Sequence, residues 1–589
     1  MSALDYDMLK PFVSFIVLKL DRNNLTASKN ADAAIAALKE IQKRLGIIKE
    51  SPNLVGKDDH TNYSTRAYSY SRLVQASWTS DPDIQDIQHH LVLVLATTTH
   101  IALHLSDSKL QGFISADLTD CNKASHLLGV RPISREVLGA AFLTGGPTRT
   151  LWLSGVHGKT PLKADTKLLS GIDLEYALDP FEDQSFWWTA ARAKPKELKK
   201  AVGASAVNSR VWMAPTKCIA EFEVDTLSLL KRLEGVKIDE PNPYSILATP
   251  ETKIDLTKLY GAYDLSLFPP QPGLYPHVEQ STIDNWESDA LATSFEVIPN
   301  RYNTKSANLT ADVVFNGQSI GELDITVSTT ASLGRVAFKV RERPTNPPSD
   351  DLSRIARAIK NGHEVNIRYA SEFSISRRLV FPTPLKLVPF EFQVAHFDDY
   401  LISREKPSSL DQVGKEKSLF CWTFHNYTTG WLICDDGSME IADFIHVSGV
   451  KENAIDITLI HVKASHTDAK NRGISVSAYE VVSAQAIKNL RWATKLGLAD
   501  GIGKPRRSRQ VWKDGKKTSP EVFKKYIRKI KAIPKFKVLI IQPSLRKENL
   551  SKAKSDTDRL KIDQLKFLLA SAQRTCFALG ADFGVLIDN

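Results

Sequence analysis

The chain opens on an apolar run, residues 12–20 (Phe-Val-Ser-Phe-Ile-Val-Leu-Lys-Leu), which reads as a strand. Residues 30–45 follow with alanine-rich spacing of helical period, predicting a helix with Asn30 or Asp32 as its cap. Strand-like runs recur at 90–95, 101–105 and 150–153, before the aromatic stretch Phe186-Trp187-Trp188, so residues 1–210 read as an α/β domain. From 211 to 348, β-branched segments such as 311–315 and 335–340 alternate with proline-rich loops such as Pro269-Pro270-Gln271-Pro272-Gly273, which suggests a β-rich module. That region ends in Arg343-Pro344-Thr345-Asn346-Pro347-Pro348-Ser349, a stretch with the composition of a linker. Residues 349–418 form a connecting region with a short helix at 352–360. No fixed period recurs, which argues against a solenoid.

The clearest logic lies in residues 419–589. A short strand at 432–434 is followed by the turn Asp435-Asp436-Gly437, a strand at 440–447, a strand at 455–462 and a helix at 479–496. After a basic segment come a strand at 538–542, a helix at 562–579 and a strand at 583–587. This is the order of a small domain with a mixed sheet, and the chain as a whole is expected to be a multidomain α/β (α+β) protein.

Composition narrows the reading. With 589 residues, of which 42% are hydrophobic and 24% charged, the chain is long enough for three or four cored units and has no disordered or fibrous signature. Cys121, Cys218, Cys421, Cys434 and Cys576 stand singly without a C-x-x-C pair, so neither a zinc knuckle nor a disulfide framework is indicated, and a reducing, cytoplasmic compartment is expected. No apolar stretch approaches the roughly 20 residues of a membrane span. The net charge of +10 is concentrated: residues 504–537 hold fourteen Lys and Arg against Asp514 and Glu521, which leaves the rest of the chain slightly acidic. Such a field attracts polyanions, phosphate backbone above all, and nominates Arg506, Arg507, Arg509, Lys513, Lys516 and Lys517 as nucleic-acid contacts, although a solvated lysine-rich face has the same composition.

The residues that suggest chemistry lie on the two adjacent strands, Glu440-Ile-Ala-Asp443-Phe-Ile and His461-Val-Lys463-Ala-Ser465. Alternation along a strand sets Glu440 and Ala442 on one face with Asp443 opposite, and His461 and Lys463 together on one face. Polar groups among Ile, Leu, Val and Phe cost free energy unless they are paired or bind metal. Phosphodiester hydrolysis uses these types: a carboxylate holds Mg2+ (or Mn2+) and a lysine stabilises charge at the phosphate. An Asp–Lys ion pair tying two strands would look the same.

Together with Tyr479-Glu-Val-Val-Ser-Ala-Gln485, these segments resemble the PD-(D/E)XK nuclease superfamily, in a variant associated with prokaryotic defence and mobile-element proteins. The resemblance covers about 420–589 and implies a restriction-endonuclease-like fold. It implies Asp443 as the metal-binding aspartate, Lys463 as the catalytic lysine, Gln485 on the following helix facing the site, and Glu440 as a further ligand or base. In this superfamily the residue two before the lysine is Asp or Glu. Here it is His461, which could ligate a metal through one ring nitrogen but brings no negative charge. The implied function is hydrolysis of DNA in defence against phage or plasmids, with RNA left open because backbone electrostatics do not separate the two polymers. The alternative is an inactive nucleic-acid-binding or scaffold subunit. No helicase or ATPase motif is present, so translocation would need a separate subunit, and a homo-oligomer is left open, since restriction-like nucleases often dimerise.

Other motifs carry less. Gly155-Val-His-Gly158-Lys159-Thr160 has two residues, where a phosphate loop needs four, between its first glycine and Gly-Lys-Thr, and reads as a turn. His89, His90, His100 and His104 flank two hairpin strands and are expected to be surface or core histidines and not a metal cluster, while Trp187 and Trp188 are expected to pack.

Overall fold

In the computed structural model, residues 5–589 are described except 22–24, 50–51, 53, 77, 80, 121–128, 158–163, 176, 180–181, 237–242, 271–279, 299–305, 331–333, 346–348, 363, 383–389, 438–439, 452–453, 503–508, 531–532 and 552–554. The chain forms a multidomain α/β fold of two compact units, divided near residue 385. No helix among the described residues is long and apolar enough to cross a membrane.

The first unit contains an eleven-stranded sheet. Ser14–Leu20 lies inside it, antiparallel to His100–Leu105 on one side and Arg210–Trp212 on the other. Its residues feed two cores: Phe15 and Val17 join the helices Arg135–Phe142 and Ile219–Glu234, while Ile16, Leu18 and Leu20 join the helix Ala27–Arg44. Burial on both faces is why this strand reads as a nearly unbroken apolar run. The helix starts earlier than its pattern predicts, because the Thr26 hydroxyl caps it by accepting from the Lys29 N–H. The two expected caps are engaged elsewhere, Asn30 donating to the Thr97 carbonyl at 2.9 Å and Asp32 pairing with Arg66 at 2.6 Å. His90, His100 and His104 are buried in the expected hairpin, and Trp187 and Trp188 are core residues. His89 is exposed and bonds to Ser71 Oγ. Gly158, Lys159 and Thr160 lie outside the described residues.

Two four-stranded sheets follow in the same unit. The stretch 343–349 is not a domain boundary there. The strand Val336–Pro344 runs into it, Ser349 caps the helix Asp350–Asn361 beyond it, and Leu352, Ile355, Ala356 and Ile359 return that helix to the same core. Residues 349–418, expected as one connecting region, are shared between the two units.

The second unit is built from β1 (Gln393–Ala395), α1 (Leu419–Asn426), β2 (Trp431–Cys434), β3 (Phe444–Lys451), β4 (Ala454–Val462), α2 (Val476–Asn489), α3 (Lys495–Ile502), β5 (Gln510–Lys513), β6 (Lys516–Thr518), α4 (Pro520–Lys529), β7 (Ile533–Arg546), α5 (Asp556–Ala578) and β8 (Ala581–Asp588). They form an eight-stranded mixed sheet in the order β1-β8-β7-β4-β3-β2-β5-β6. The strands from β1 to β4 pair in parallel and those from β4 to β6 antiparallel, so β4, which leads to Lys463, is where the two halves join. One face packs Ile445, Ile457, Leu459, Val538 and Ile540 against Tyr479, Val482 and Ala486 of α2 and Leu565 and Leu569 of α5. The other packs Phe444, Ile460, Val462, Leu539 and Ile541 against Leu419, Phe420 and Trp422 of α1. The helix expected at 479–496 instead ends at Asn489 and continues as a 3-10 turn, Leu490–Trp492, before α3.

Tyr479 is fully buried at the start of α2 and its hydroxyl donates to the Gln542 carbonyl of β7 at 2.7 Å. Tyr479→Phe is expected to lower unfolding free energy by about 1 kcal/mol, the usual net worth of such a bond, with the slope of the denaturant transition unchanged. A urea titration followed by circular dichroism reads this directly.

Candidate metal centre

After β2 the chain turns through Asp435-Asp436-Gly437 and re-enters the sheet only at Phe444. The turn is held from inside. Asp435 is fully buried and accepts from the Ile441 N–H at 3.0 Å, from Arg509 Nε at 2.7 Å and from Arg509 Nη2 at 2.6 Å. Its own N–H donates to the Asp443 carbonyl at 3.0 Å. Gly437 has φ of +146°, a conformation that side-chain-bearing residues resist, and its N–H donates to Glu440 Oε2 at 2.9 Å. Because residues 440–443 belong to this turn and not to a strand, the expected alternation does not apply, and Glu440 comes to the same side as Asp443. Asp436, Glu440 and Asp443 each bring a carboxylate oxygen within 4.8 Å of the others.

Crowded and partly desolvated carboxylates resist ionisation. Burial raises the Asp443 carboxyl well above its ordinary range, Glu440 raises it next, and Glu405 and Asp436 add to this against the opposing Val462 N–H, which donates to Asp443 Oδ2 at 2.8 Å. Burial likewise raises Glu440, with Asp436 and Asp435 adding and the Gly437 N–H and Lys406 opposing. Gln485 of α2 donates from Nε2 to Glu440 Oε1 at 3.3 Å, so the expected glutamine does reach this group.

Two lysines flank the carboxylates. Lys406 Nζ lies 2.7 Å from Asp436 Oδ1, and Lys463 Nζ lies 3.1 Å from Glu405 Oε2, with the Lys463 side chain 40% exposed. Glu405 and Lys406 are additions that sequence reasoning missed. They sit in the irregular stretch ahead of α1, which has no periodicity, and no spacing relates them to Asp443.

His461 is not part of the group. It is fully buried, lies outside both metal-capable clusters among the described residues, and neither ring nitrogen has a hydrogen-bond partner there. Burial, with the nearby charge of Lys488 adding, lowers its pKa to about 4, so it is a neutral core residue at physiological pH. The reason is the pleat: His461 follows Ile457 and Leu459 onto the face covered by α2.

Arg509 also departs from expectation. Its side chain is 2% exposed, clasps Asp435 and donates to the carbonyls of Gly501 and Ile502, so it cannot meet a phosphate. Arg506 and Arg507 lie outside the described residues. Lys513, Lys516 and Lys517 are exposed on the β5–β6 hairpin, Lys513 Nζ lying 5.6 Å from the Trp431 ring centroid and Lys517 Nζ 3.2 Å from Asp411. Next to them α4 buries Phe523 and Ile527 and turns Lys525, Arg528 and Lys529 outward.

Oxygen donors at this spacing suit a hard divalent cation such as Mg2+ or Mn2+. A cation would relieve the repulsion that raises Asp443 and Glu440. No family model matches the chain, no curated protein matches its sequence, and no solved structure matches its fold.

Two outcomes follow from this geometry. Arg509→Ala leaves the Asp435 carboxylate buried without its main partner and is expected to cost about 3–5 kcal/mol, read as a lowered denaturation midpoint. His461 titrates lower in the folded chain than its ordinary 6.5, so the folded state binds fewer protons between pH 6.5 and about 4, and the stability present above 6.5 is lost as pH falls through that window. His461→Leu should remove roughly 3 kcal/mol of that acid sensitivity and leave metal binding intact. Loss of metal binding in this variant would restore the histidine as a ligand.

Proposed function

We propose that the C-terminal unit is a metal-dependent nuclease that hydrolyses phosphodiester bonds, with DNA as the substrate. The observation that carries this reading is the convergence of Asp436, Glu440 and Asp443 within 4.8 Å, flanked by Lys406 and by the Glu405–Lys463 pair. A divalent cation held by these oxygens supplies Lewis-acid charge against the scissile phosphate. The residues themselves do the rest. Lys463, half-exposed and steadied by Glu405, presents an ammonium to the negative charge that grows on the phosphate oxygens. Gln485 orients Glu440, and Lys406 offsets the charge of Asp436. The exposed lysines of the β5–β6 hairpin and α4 supply a positive surface for the strand backbone. The three segments around Asp443, Lys463 and Gln485 resemble defence-associated PD-(D/E)XK nucleases, and immunity against phage or plasmids in the cytoplasm is the role that resemblance supports.

A second reading is favoured by His461 alone: a neutral core histidine stands where a PD-(D/E)XK site carries a second acid, as an inactive, nucleic-acid-binding subunit would have it. Glu405 weighs against this, because it brings a carboxylate to Lys463 from elsewhere in the chain.

Incubating the full chain with plasmid and Mg2+ or Mn2+ separates the two readings. Cleavage that disappears in Asp443→Asn and falls at least about 100-fold in Lys463→Ala supports the nuclease. Metal linkage gives an independent readout. Asp443 titrates higher when folded, so its contribution to stability is present near pH 4 and is lost as pH rises. Asp443→Asn should therefore melt above wild type at neutral pH without metal, and Mn2+ should raise the melting temperature of wild type only. Equal Mn2+ shifts in both proteins would remove Asp443 from the site. For the basic surface, changing Lys513, Lys516 and Lys517 to Ala should flatten the salt dependence of duplex binding by up to about 2.7 in log–log slope, measured by titration at several salt concentrations.

A further inference from the structure

Two residues beyond Lys463 the chain enters a cleft of about 520 Å³, lined by Ser465, His466, Thr467, Ser475, Ser544 and Lys561 among others. Its wall includes the start of α2, where Ser475 caps the helix by accepting from the Ala478 N–H and no acidic residue occupies the first turn. The first N–H groups of a helix have no intrahelical acceptors and carry the positive end of its dipole, so this end is suited to an anion. A second observation is independent of the helix end. Ser544 of β7 is 1% exposed, lines the cleft, and its hydroxyl has no hydrogen-bond partner among the described residues. An unpartnered buried hydroxyl is costly, and a ligand that accepts from it would remove that cost. Lys561 of α5 adds a cation. Arg472, also on the wall, is committed to Asp588 and the Pro543 carbonyl, so it shapes the cleft without adding free charge.

We infer that this cleft binds a phosphate group of the nucleic-acid strand, away from the carboxylates that act on it. The inference rests on the nuclease reading for the identity of the strand, and on the cleft alone for the phosphate. Ser465 lies within about 7 Å of chain from Lys463, and the start of α2 lies about 15 Å along the helix from Gln485. Such a pocket would fix how far from a held phosphate the strand is cut.

The test uses the full-length Asp443→Asn protein in EDTA, so that neither metal nor cleavage enters. Inorganic phosphate should raise its melting temperature. Lys561→Ala on that background should weaken phosphate binding about tenfold or more. Ser544→Ala should raise the melting temperature without phosphate, by removing the unpartnered hydroxyl, and shrink the shift that phosphate produces. Oligonucleotides with a 5′-phosphate or a 5′-hydroxyl distinguish the source. Preferential binding of the phosphorylated end assigns a terminal phosphate, and equal binding that both variants weaken assigns an internal one. No phosphate shift, or binding untouched by both variants, overturns the cleft. Because metal-dependent cleavage is measured separately in the wild-type chain, an inactive protein that still binds phosphate overturns the nuclease reading and keeps the cleft, and the converse result does the opposite.

Discussion

The Asp435–Arg509 pair is the constraint on which the candidate site depends. A carboxylate removed from water is held by two nitrogens of one guanidinium and by the Ile441 N–H, and the same residue's N–H reaches the Asp443 carbonyl. Those bonds close the turn after β2 and delay the return to the sheet until Phe444. Without that delay Glu440 would fall on the face opposite Asp443. A buried ion pair adds little net stability compared with apolar packing, but removing one partner is costly, so its value here is positional.

The turn gathers carboxylates that repel one another. Asp443 and Glu440 are both driven toward protonation by burial; Glu440, Glu405 and Asp436 add to this at Asp443, and Asp436 and Asp435 add to it at Glu440. Lys406 and Lys463 answer part of this charge from outside, Lys406 through Asp436 and Glu405, and Lys463 through Glu405. Gln485 reaches Glu440 from α2, whose position is set by a core that includes Tyr479, Val482 and Ala486. The site is thus a product of the mixed sheet: β4 delivers Lys463 at the seam between parallel and antiparallel halves, and α2 crosses the face beneath which His461 is sealed.

His461 and Arg509 show how local pattern misleads where burial decides. Both are polar residues within suggestive motifs, one where the nuclease family that this segment resembles has an acid, and one in a basic run. The pleat turns His461 into the core, where a neutral imidazole is cheaper than an ion. Arg509 lies one residue before β5 and is drawn inward by Asp435, while Lys513, Lys516 and Lys517 on the following hairpin stay in water. Composition alone does not separate a structural arginine from a surface one.

What the sequence determined by itself is the order and type of most elements, because strand and helix periods are local properties of the chain. The apolar run at Ser14–Leu20, the pair β3 and β4, and the helix bearing Gln485 were all legible in this way, as were Asp443 and Lys463 as the residues most in need of a reason. Element ends were less legible, since Thr26 and Ser475 set helix starts through single hydrogen bonds that compete with neighbouring candidates. The tertiary structure decided which charges meet. Glu405 lies 58 residues before Lys463 and Arg509 lies 74 after Asp435, separations across which no periodicity carries information. Only the folding of the sheet brings such residues within hydrogen-bonding distance, and only burial tells whether a charge is there to act or to hold the chain in place.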